Sequence, residues 1–414
     1  MSILYNLSIR LYAWAVWCLS ISNKKAKLWV GGRKNLFLHL EKSIRNEDRI
    51  IWFHCASLGE FEQGRPLMEH IRKQQPHYKI LLTFFSPSGY EIRKDYQGVD
   101  YVFYLPVDTV ANAKKFLETV QPEYIFFVKY EFWFNYIHQA YLRDIPFYSV
   151  SSIFSERQIY FNRYGKWFRK RLGEITHFFA HNQSSVDLLH KYAVSQAGVF
   201  GDTRFDRVYE LSVNRKELPL FSHLRQLDKV VIAGSTWQKD EQVLLRAMEK
   251  YPFTLVLAPH ETDAQHIEYI ESLFSEFSVM RYSQMSESEP TDGVQVFIID
   301  TIGILNALYP YGKIAYIGGG FGVGIHNILE AATYGMPVVF GTNYRRFKEA
   351  DDLIARSGAF SIADAEELST ILSDLLNDKA QLARAGSIAK QYVTENIGVC
   401  SRIYSFVFGD EKKG

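Results

Sequence analysis

The chain has 414 residues, of which 47% are hydrophobic and 22% charged, an ordinary globular composition that excludes wholesale disorder, collagen and coiled coil. Lys and Arg (47) balance Asp and Glu (46) to a net charge of +1, which argues against a global field for nucleic acid. Three scattered cysteines, Cys18, Cys55 and Cys400, have neither metal nor redox spacing and fit a reducing compartment.

From Ile3 to Ile21 the chain is almost wholly apolar, interrupted by Asn6, Ser8 and Arg10. Lys24, Lys25, Lys27, Arg33 and Lys34 follow. A secretory signal carries its charges before the apolar run, so this order, with Trp14, Trp17 and Trp29 beside the basic cluster, reads as a membrane anchor or a shallow interfacial helix. The other reading is a helix packed on the protein's own surface.

After residue 45, short apolar runs alternate with amphipathic stretches. Strands are expected at Ile50–Cys55, Lys79–Phe84, Tyr101–Leu105, Tyr124–Val128, Pro146–Val150 and His177–Ala180, with helices such as Phe61–Arg72 and Val110–Val120 between them. The second half repeats the habit at Val230–Ala233, Thr254–Ala258, Val294–Ile299, Ile314–Ile317 and Pro337–Phe340. This βαβα alternation predicts an α/β protein of two doubly wound parallel-sheet domains facing a cleft, with the polar stretch Asp206–Asp228 as linker. The expected division is an N-terminal membrane segment (1–35), a first domain (36–210) and a second (211–414). Ligands of such sheets sit at the carboxyl ends of the strands, so the loops after the strands carry the chemistry.

The first such loop, His54 to Glu60, places Glu60 at a helix start. Glu60 reads either as an ordinary first-turn glutamate or, in the mouth of a cleft, as a general base. The second, Lys129-Tyr130-Glu131-Phe132-Trp133, sets Glu131 among aromatics just after a strand. A third segment, Arg157–Arg171, holds six basic residues (Arg157, Arg163, Lys166, Arg169, Lys170 and Arg171) interleaved with aromatics and without an acid. It reads as an interfacial helix for anionic headgroups, against a solvated face or a nucleic-acid patch. Ala233-Gly234-Ser235-Thr236, Pro259-His260 and Asp300-Thr301-Ile302-Gly303 each follow a strand of the second half. The last loop, Gly318 to Glu330, runs from a strand through five glycines into a helix and is expected to cradle a phosphate on backbone N–H groups. Glu330 is expected one turn inside that helix, placed for ribose hydroxyls.

Taken together in order and spacing, Ala56-Ser57-Leu58-Gly59-Glu60, Thr83 to Gly89, Tyr130 to Trp133, Ser155-Glu156-Arg157, Gly201 to Asp206, Gly234-Ser235-Thr236, Asp300 to Gly303 and His326 to Glu330 resemble the Kdo transferases, glycosyltransferase family 30, which attach 3-deoxy-D-manno-octulosonic acid (Kdo) to a lipid A precursor. The resemblance implies a GT-B fold of two Rossmann-like domains with a C-terminal segment returning to the first. It implies CMP-Kdo as donor, a lipid A precursor (lipid IVA) as acceptor, and an inverting transfer in lipopolysaccharide biosynthesis without a metal or other cofactor. By resemblance, Glu60 is the general base, Glu131 and Arg204 stabilise the transition state, and Pro259, His260, Ile302, Gly303, Ile304, Asn327, Ile328, Leu329 and Glu330 contact CMP. The acceptor is an anionic lipid, so the first helix and Arg157, Arg163, Lys166, Arg169 and Lys170 are expected to dock on the cytoplasmic face of the inner membrane. No nucleic-acid partner is expected.

There are departures from the family. No Arg separates Pro259 from His260, Trp237 stands where a His is usual, Ile304 where a Glu is usual, and Arg204 where a Lys is usual, which keeps the charge but not the geometry. Two further readings fit part of the pattern: a GT-B enzyme using a UDP-sugar, as transferase or 2-epimerase, and a non-catalytic membrane-bound scaffold. Glu60, Glu131 and the glycine loop argue against the scaffold.

Overall fold

The computed structural model describes residues 2–129, 131–286, 291 and 293–409. Tyr130 therefore lies outside the described residues. The chain divides into two units, one running to Asp206 and resuming at Gly398, the other Arg207–Ile397.

In the first unit, strands β1 (Ile50–Cys55), β2 (Lys79–Phe84), β3 (Tyr101–Tyr104), β4 (Pro122–Val128), β5 (Phe147–Ser152), β6 (His177–Ala180) and β7 (Ala197–Val199) form one parallel sheet in the order β3-β2-β1-β4-β5-β6-β7. β1 is buried along its whole length, as expected of a strand covered on both faces. In the second unit, β8 (Val230–Thr236), β9 (Thr254–Pro259), β10 (Val279–Arg281), β11 (Val296–Ile298), β12 (Ile314–Ile317), β13 (Val338–Gly341) and β14 (Ala359–Ile362) form a second parallel sheet, β10-β11-β9-β8-β12-β13-β14. The expected α/β class of two doubly wound sheets is thus observed. Each sheet reverses its winding once, between β1 and β4 and between β8 and β12. At such a switch point the adjacent loops diverge and leave a crevice for a ligand.

Three helices precede the first sheet: α1 (Ser2–Leu19), α2 (Lys24–Gly31) and α3 (Leu36–Ser43). No helix among the described residues is long and apolar enough to cross a membrane. α1 buries no residue fully, yet it is docked on its own unit. The Tyr5 hydroxyl donates to Asp108 Oδ2 (2.5 Å), the Asn135 amide donates to Asn6 Oδ1 (3.1 Å), and the Tyr5 ring meets Phe134 and Trp167, each at 5.4 Å. Behind α2, the Arg33 guanidinium lies 3.9 Å over Trp29 and donates to the carbonyls of Trp29, Phe85 and Leu105. Burial without a carboxylate pushes Arg33 down to about 9.

Two expectations change. The stretch Asp206–Asp228, expected as the linker, begins where the two units divide but is folded: a helix spans Arg204–Val213, a 3₁₀ segment spans Pro219–Gln226, and Leu218, Phe221 and Leu224 are buried. The basic stretch Arg157–Arg171 is not one helix but a turn, a 3₁₀ turn (Ile159–Phe161) and a short helix (Lys166–Leu172). The break falls at Gly165, where a Cβ would come within 2.2 Å of the Tyr160 carbonyl oxygen.

The segment from Val399 to Phe408 is helical and packs with Tyr78 and Tyr124 of the first unit, where the Asp206 carboxylate accepts from the N–H groups of Gly398 and Cys400.

Candidate active site

At the switch point of the first unit, the loop after β1 enters a long helix, Leu58–Gln74, with Ser57 as its N-cap residue. Glu60 lies in the first turn, and its Oε2 accepts a short hydrogen bond from the Ser57 hydroxyl. The loop after the neighbouring β4 carries Glu131. That loop is pinned on both sides: Phe132 is buried against Phe154 and Phe178, and the Trp133 indole N–H donates to His54 Nε2 (3.2 Å). Burial pushes His54 down to about 3, so it stays neutral and accepts this bond, while its Nδ1 bonds to Thr83. Burial first, and then the charge of Glu60, push Glu131 up to about 7. Burial and the charge of Glu60 thus act together to keep the proton on Glu131.

Arg204 opens the helix that follows β7. Its guanidinium pairs with the buried Asp202 carboxylate (2.6 Å), and Asp202 also accepts from the Arg204 backbone N–H. The Thr203 hydroxyl donates to the Gln63 carbonyl, one turn along the helix from Glu60, which ties this loop to the helix that carries Glu60. The structure thus gathers Glu60, Glu131 and the Arg204 loop at the carboxyl edge of one sheet.

In the second unit, the switch point joins the loops after β8 and β12. A Cβ on Gly318 would lie 2.2 Å from Ser235 O, so only glycine lets the two loops approach this closely. The loop is not the open phosphate cradle expected of it. The Gly319 N–H donates to Asp240 Oδ2, those of Gly322 and Gly324 to Gly319 O, and that of His326 to Gly318 O. These N–H groups hold the loop's own shape. Asp240, which also accepts from Trp237 N and the Tyr316 hydroxyl, is the residue that organises it. Sequence reasoning passed over Asp240. Its signal is an acid three residues after the N-cap, the spacing at which a side chain reaches back to the helix entrance.

The donor-contact residues separate into groups. Pro259 ends β9, and His260, exposed beyond it, stacks on Trp237 (4.5 Å) and His326 (4.7 Å). Ile302 is 86% exposed, Gly303 has φ +94°, and Ile304 caps a short helix. Asn327 donates to Glu330 Oε1 (3.1 Å) and accepts from the Leu329 N–H. Ile328 and Leu329 are core residues, 1% and 0% exposed, so their side chains are unavailable to a ligand. The helix begins at Leu329, which puts Glu330 in its first turn and not one turn inside.

A cavity of about 360 Å³ opens at this switch point, lined by Trp237, Gln238, Lys239, Asp240, Phe321 and other residues of the loops after β8, β9 and β12. None of the expected donor residues lines it.

Among the basic residues, Arg157, Arg163, Lys166 and Lys170 are exposed. Arg169 is different: its guanidinium braces the carbonyls of Tyr160 (2.7 Å) and Asn162 (3.1 Å) and so holds the turn before the short helix.

Residues 32–207 match the family model of the 3-deoxy-D-manno-octulosonic acid transferases. A transferase of that name from Haemophilus influenzae is 27% identical over 371 residues, covering 85% of each chain. One from Aquifex aeolicus is 27% identical over 350 residues, 83% of this chain and 90% of the relative. Among solved structures, the UDP-GlcNAc 2-epimerase from Neisseria meningitidis bound to UDP-GlcNAc superposes with a TM-score of 0.60 at 15% identity, covering 87% of this chain and all of the other, a likeness of GT-B-like fold alone. By its sequence the chain is a relative of the Kdo transferases, which are glycosyltransferases, in agreement with the resemblance read from its motifs.

Proposed function

We propose that the protein transfers Kdo from CMP-Kdo to a lipid A precursor, lipid IVA, with inversion and without a metal. The observation that carries this reading is the pair of carboxylates, Glu60 and Glu131, at the switch point of the unit that matches the family model. Glu60 takes the proton from the acceptor hydroxyl as that oxygen bonds to the anomeric carbon of Kdo. The bond from the anomeric carbon to the CMP phosphate oxygen breaks, and the electron pair leaves with CMP. Attack on the face opposite CMP in one displacement inverts the centre. Glu131, with its proton held up to near neutrality, donates a hydrogen bond to charge growing in the transition state, and Arg204 supplies positive charge. A monophosphate leaving group has no second phosphate for a metal to bridge. Glu330, steadied by Asn327, binds ribose hydroxyls.

In this reading the acceptor is drawn from the cytoplasmic face of the inner membrane. α1 exposes Leu4, Leu7, Leu11, Trp14 and Trp17 and is too polar at Arg10 to span, so it lies in the interface. Its Tyr5 touches Trp167 of the basic segment, so the apolar helix and the exposed cations Arg157, Arg163, Lys166 and Lys170 make one docking face. The test is mass spectrometry of lipids made by the purified protein from CMP-Kdo and a tetraacylated lipid A precursor. Products heavier by one or more Kdo residues are expected, and an unchanged lipid refutes the reading.

A further inference from the structure

We infer that α1 builds the acid site as well as facing lipid: its Tyr5 is a positioning residue that holds the loop of Glu131 in the shape needed for transfer. The inference rests on the proposed reading, in which Glu131 acts on the transition state, and gives α1 a role apart from docking.

The need for such a residue begins in the sequence. The loop that carries Glu131 runs straight into the helix Phe134–Tyr141, whose N-cap residue is Trp133. An indole has a donor and no acceptor, and Trp133 makes no capping bond. The first N–H groups of that helix must therefore be met from elsewhere. The Phe134 N–H donates to the Tyr5 hydroxyl (3.3 Å), and those of Asn135 and Tyr136 donate to the two carboxylate oxygens of Asp108 (3.2 Å each). The Tyr5 hydroxyl in turn donates to Asp108 Oδ2 (2.5 Å), and the next residue, Asn6, accepts from the Asn135 side-chain amide (3.1 Å). The cap that Trp133 cannot make is thus assembled from Asp108 and from α1. Burial pushes Asp108 up to about 6, and its bonds with Tyr5, Asn135 and Tyr136 pull the other way, so each donor helps to keep this buried carboxylate charged.

α1 grips the same loop at a second point. Tyr12 lies seven residues after Tyr5, two turns along and on the same face of the helix. Its ring stacks on Phe85 (6.0 Å), Phe85 packs on Trp133 (4.5 Å), and Trp133 donates to His54. A helix that served only as an anchor would need no polar contact with this loop. Here Leu4, Leu7, Leu11 and Trp14 face outward, while the inner face carries hydrogen bonds to the helix that continues from Glu131.

The test is Tyr5→Phe, which removes the hydroxyl and keeps the ring against Phe134 and Trp167, with melting temperature to check folding. Amide hydrogen exchange at Phe134 and Asn135 should quicken about tenfold, as for one lost hydrogen bond, with β1 unchanged. Steady-state kinetics with CMP-Kdo and lipid acceptor should show kcat lowered about tenfold, with both KM values and sedimentation with vesicles of phosphatidylglycerol and phosphatidylcholine within about twofold. The alkaline limb of kcat should also move to lower pH, because water reaching the loosened loop relieves the burial that holds the proton on Glu131. Asp108→Asn, which keeps one acceptor oxygen, should act in the same direction. Unchanged exchange, or unchanged kcat, overturns the inference. So does a rise in acceptor KM or a loss of vesicle binding with kcat kept, which would make α1 an anchor alone, and so does a fall in kcat without the pH displacement, which would make Tyr5 merely structural. Wild-type protein that transfers no Kdo overturns the proposed reading and the role given to Tyr5 with it, and is told apart because it appears before any substitution is made.

Discussion

The two switch points share one topology and differ in chemistry. Between β1 and β4 the loops present two carboxylates, one in a helix first turn and one pushed up to about 7. Between β8 and β12 they present glycines and an indole beside a cavity, and Asp240 there is buried with its carboxylate accepting from backbone N–H groups. The same topology thus leaves two loop acids near the strand ends in one unit and turns a loop acid inward as a brace in the other. Even the strand ends are alike: Ser151 and Ser235 both adopt positive φ, +52° and +55°, where β5 and β8 slip register. The division of labour lies in the side chains that follow.

The largest expected effect is on the acidic switch point. Glu60→Gln should lower the transfer rate about 10²–10⁴-fold, measured by radiolabelled or mass-resolved product, and near-normal turnover would remove Glu60 from the chemistry. On the other side, Asp240→Asn keeps the shape but weakens the brace on Gly319 and Trp237. It should cost about 1–3 kcal/mol in denaturant unfolding while the rate at saturating donor falls much less than for Glu60→Gln. A rate loss as deep as that of Glu60→Gln without loss of stability would blur the comparison.

A smaller effect concerns pH. Glu131 is raised from its ordinary 4.5 to about 7 in the folded protein, so folding favours its protonated form. The folded chain therefore loses stability as pH rises from about 4.5 to about 7, and the loss is complete above that. Glu131→Gln, which cannot ionise, should lack this component and gain stability relative to the wild type across that window. Equal pH dependence of the two melting curves would mean that Glu131 titrates normally. The smallest effect separates the basic residues. Neutralising Arg163, Lys166 and Lys170 should lower binding to anionic vesicles at low salt and lose its effect at high salt, with stability unchanged. Arg169→Gln should instead lower stability, because it unties the turn at Tyr160 and Asn162. Vesicle sedimentation unaltered by the triple change at low salt would retire the docking face.

Much of the fold was legible because buried parallel strands are continuous apolar runs: Ile50–Cys55, Lys79–Phe84, His177–Ala180 and Ile314–Ile317 were expected with the bounds observed. Ala197–Val199, Val279–Arg281 and Ala359–Ile362 were not, and all three are edge strands of three or four residues without such a run. The Asp206–Asp228 stretch read as polar because its buried residues, Leu218, Phe221 and Leu224, are sparse among charges. At the site, Glu60 and Glu131 were visible as acids just after strands. What spacing cannot convey is how hydrogen bonds are shared. The glycine loop has the composition of a phosphate cradle, and only the partners of Gly319, Gly322 and Gly324 reveal that it closes on itself. Ile328 and Leu329 likewise sit in a binding motif by position and in the core by packing.

The central claim, that chemistry belongs to the first switch point and donor binding to the second, is tested most directly by titrating CMP into Glu60→Gln and Glu330→Ala in a calorimeter and measuring transfer by the same preparations at saturating donor. The account predicts a crossed result. Glu60→Gln binds CMP with an affinity within about threefold of the wild type and does not turn over, whereas Glu330→Ala binds CMP about tenfold more weakly and keeps most of its rate. Loss of the same quantity in both variants, or unchanged CMP affinity in Glu330→Ala, would contradict it.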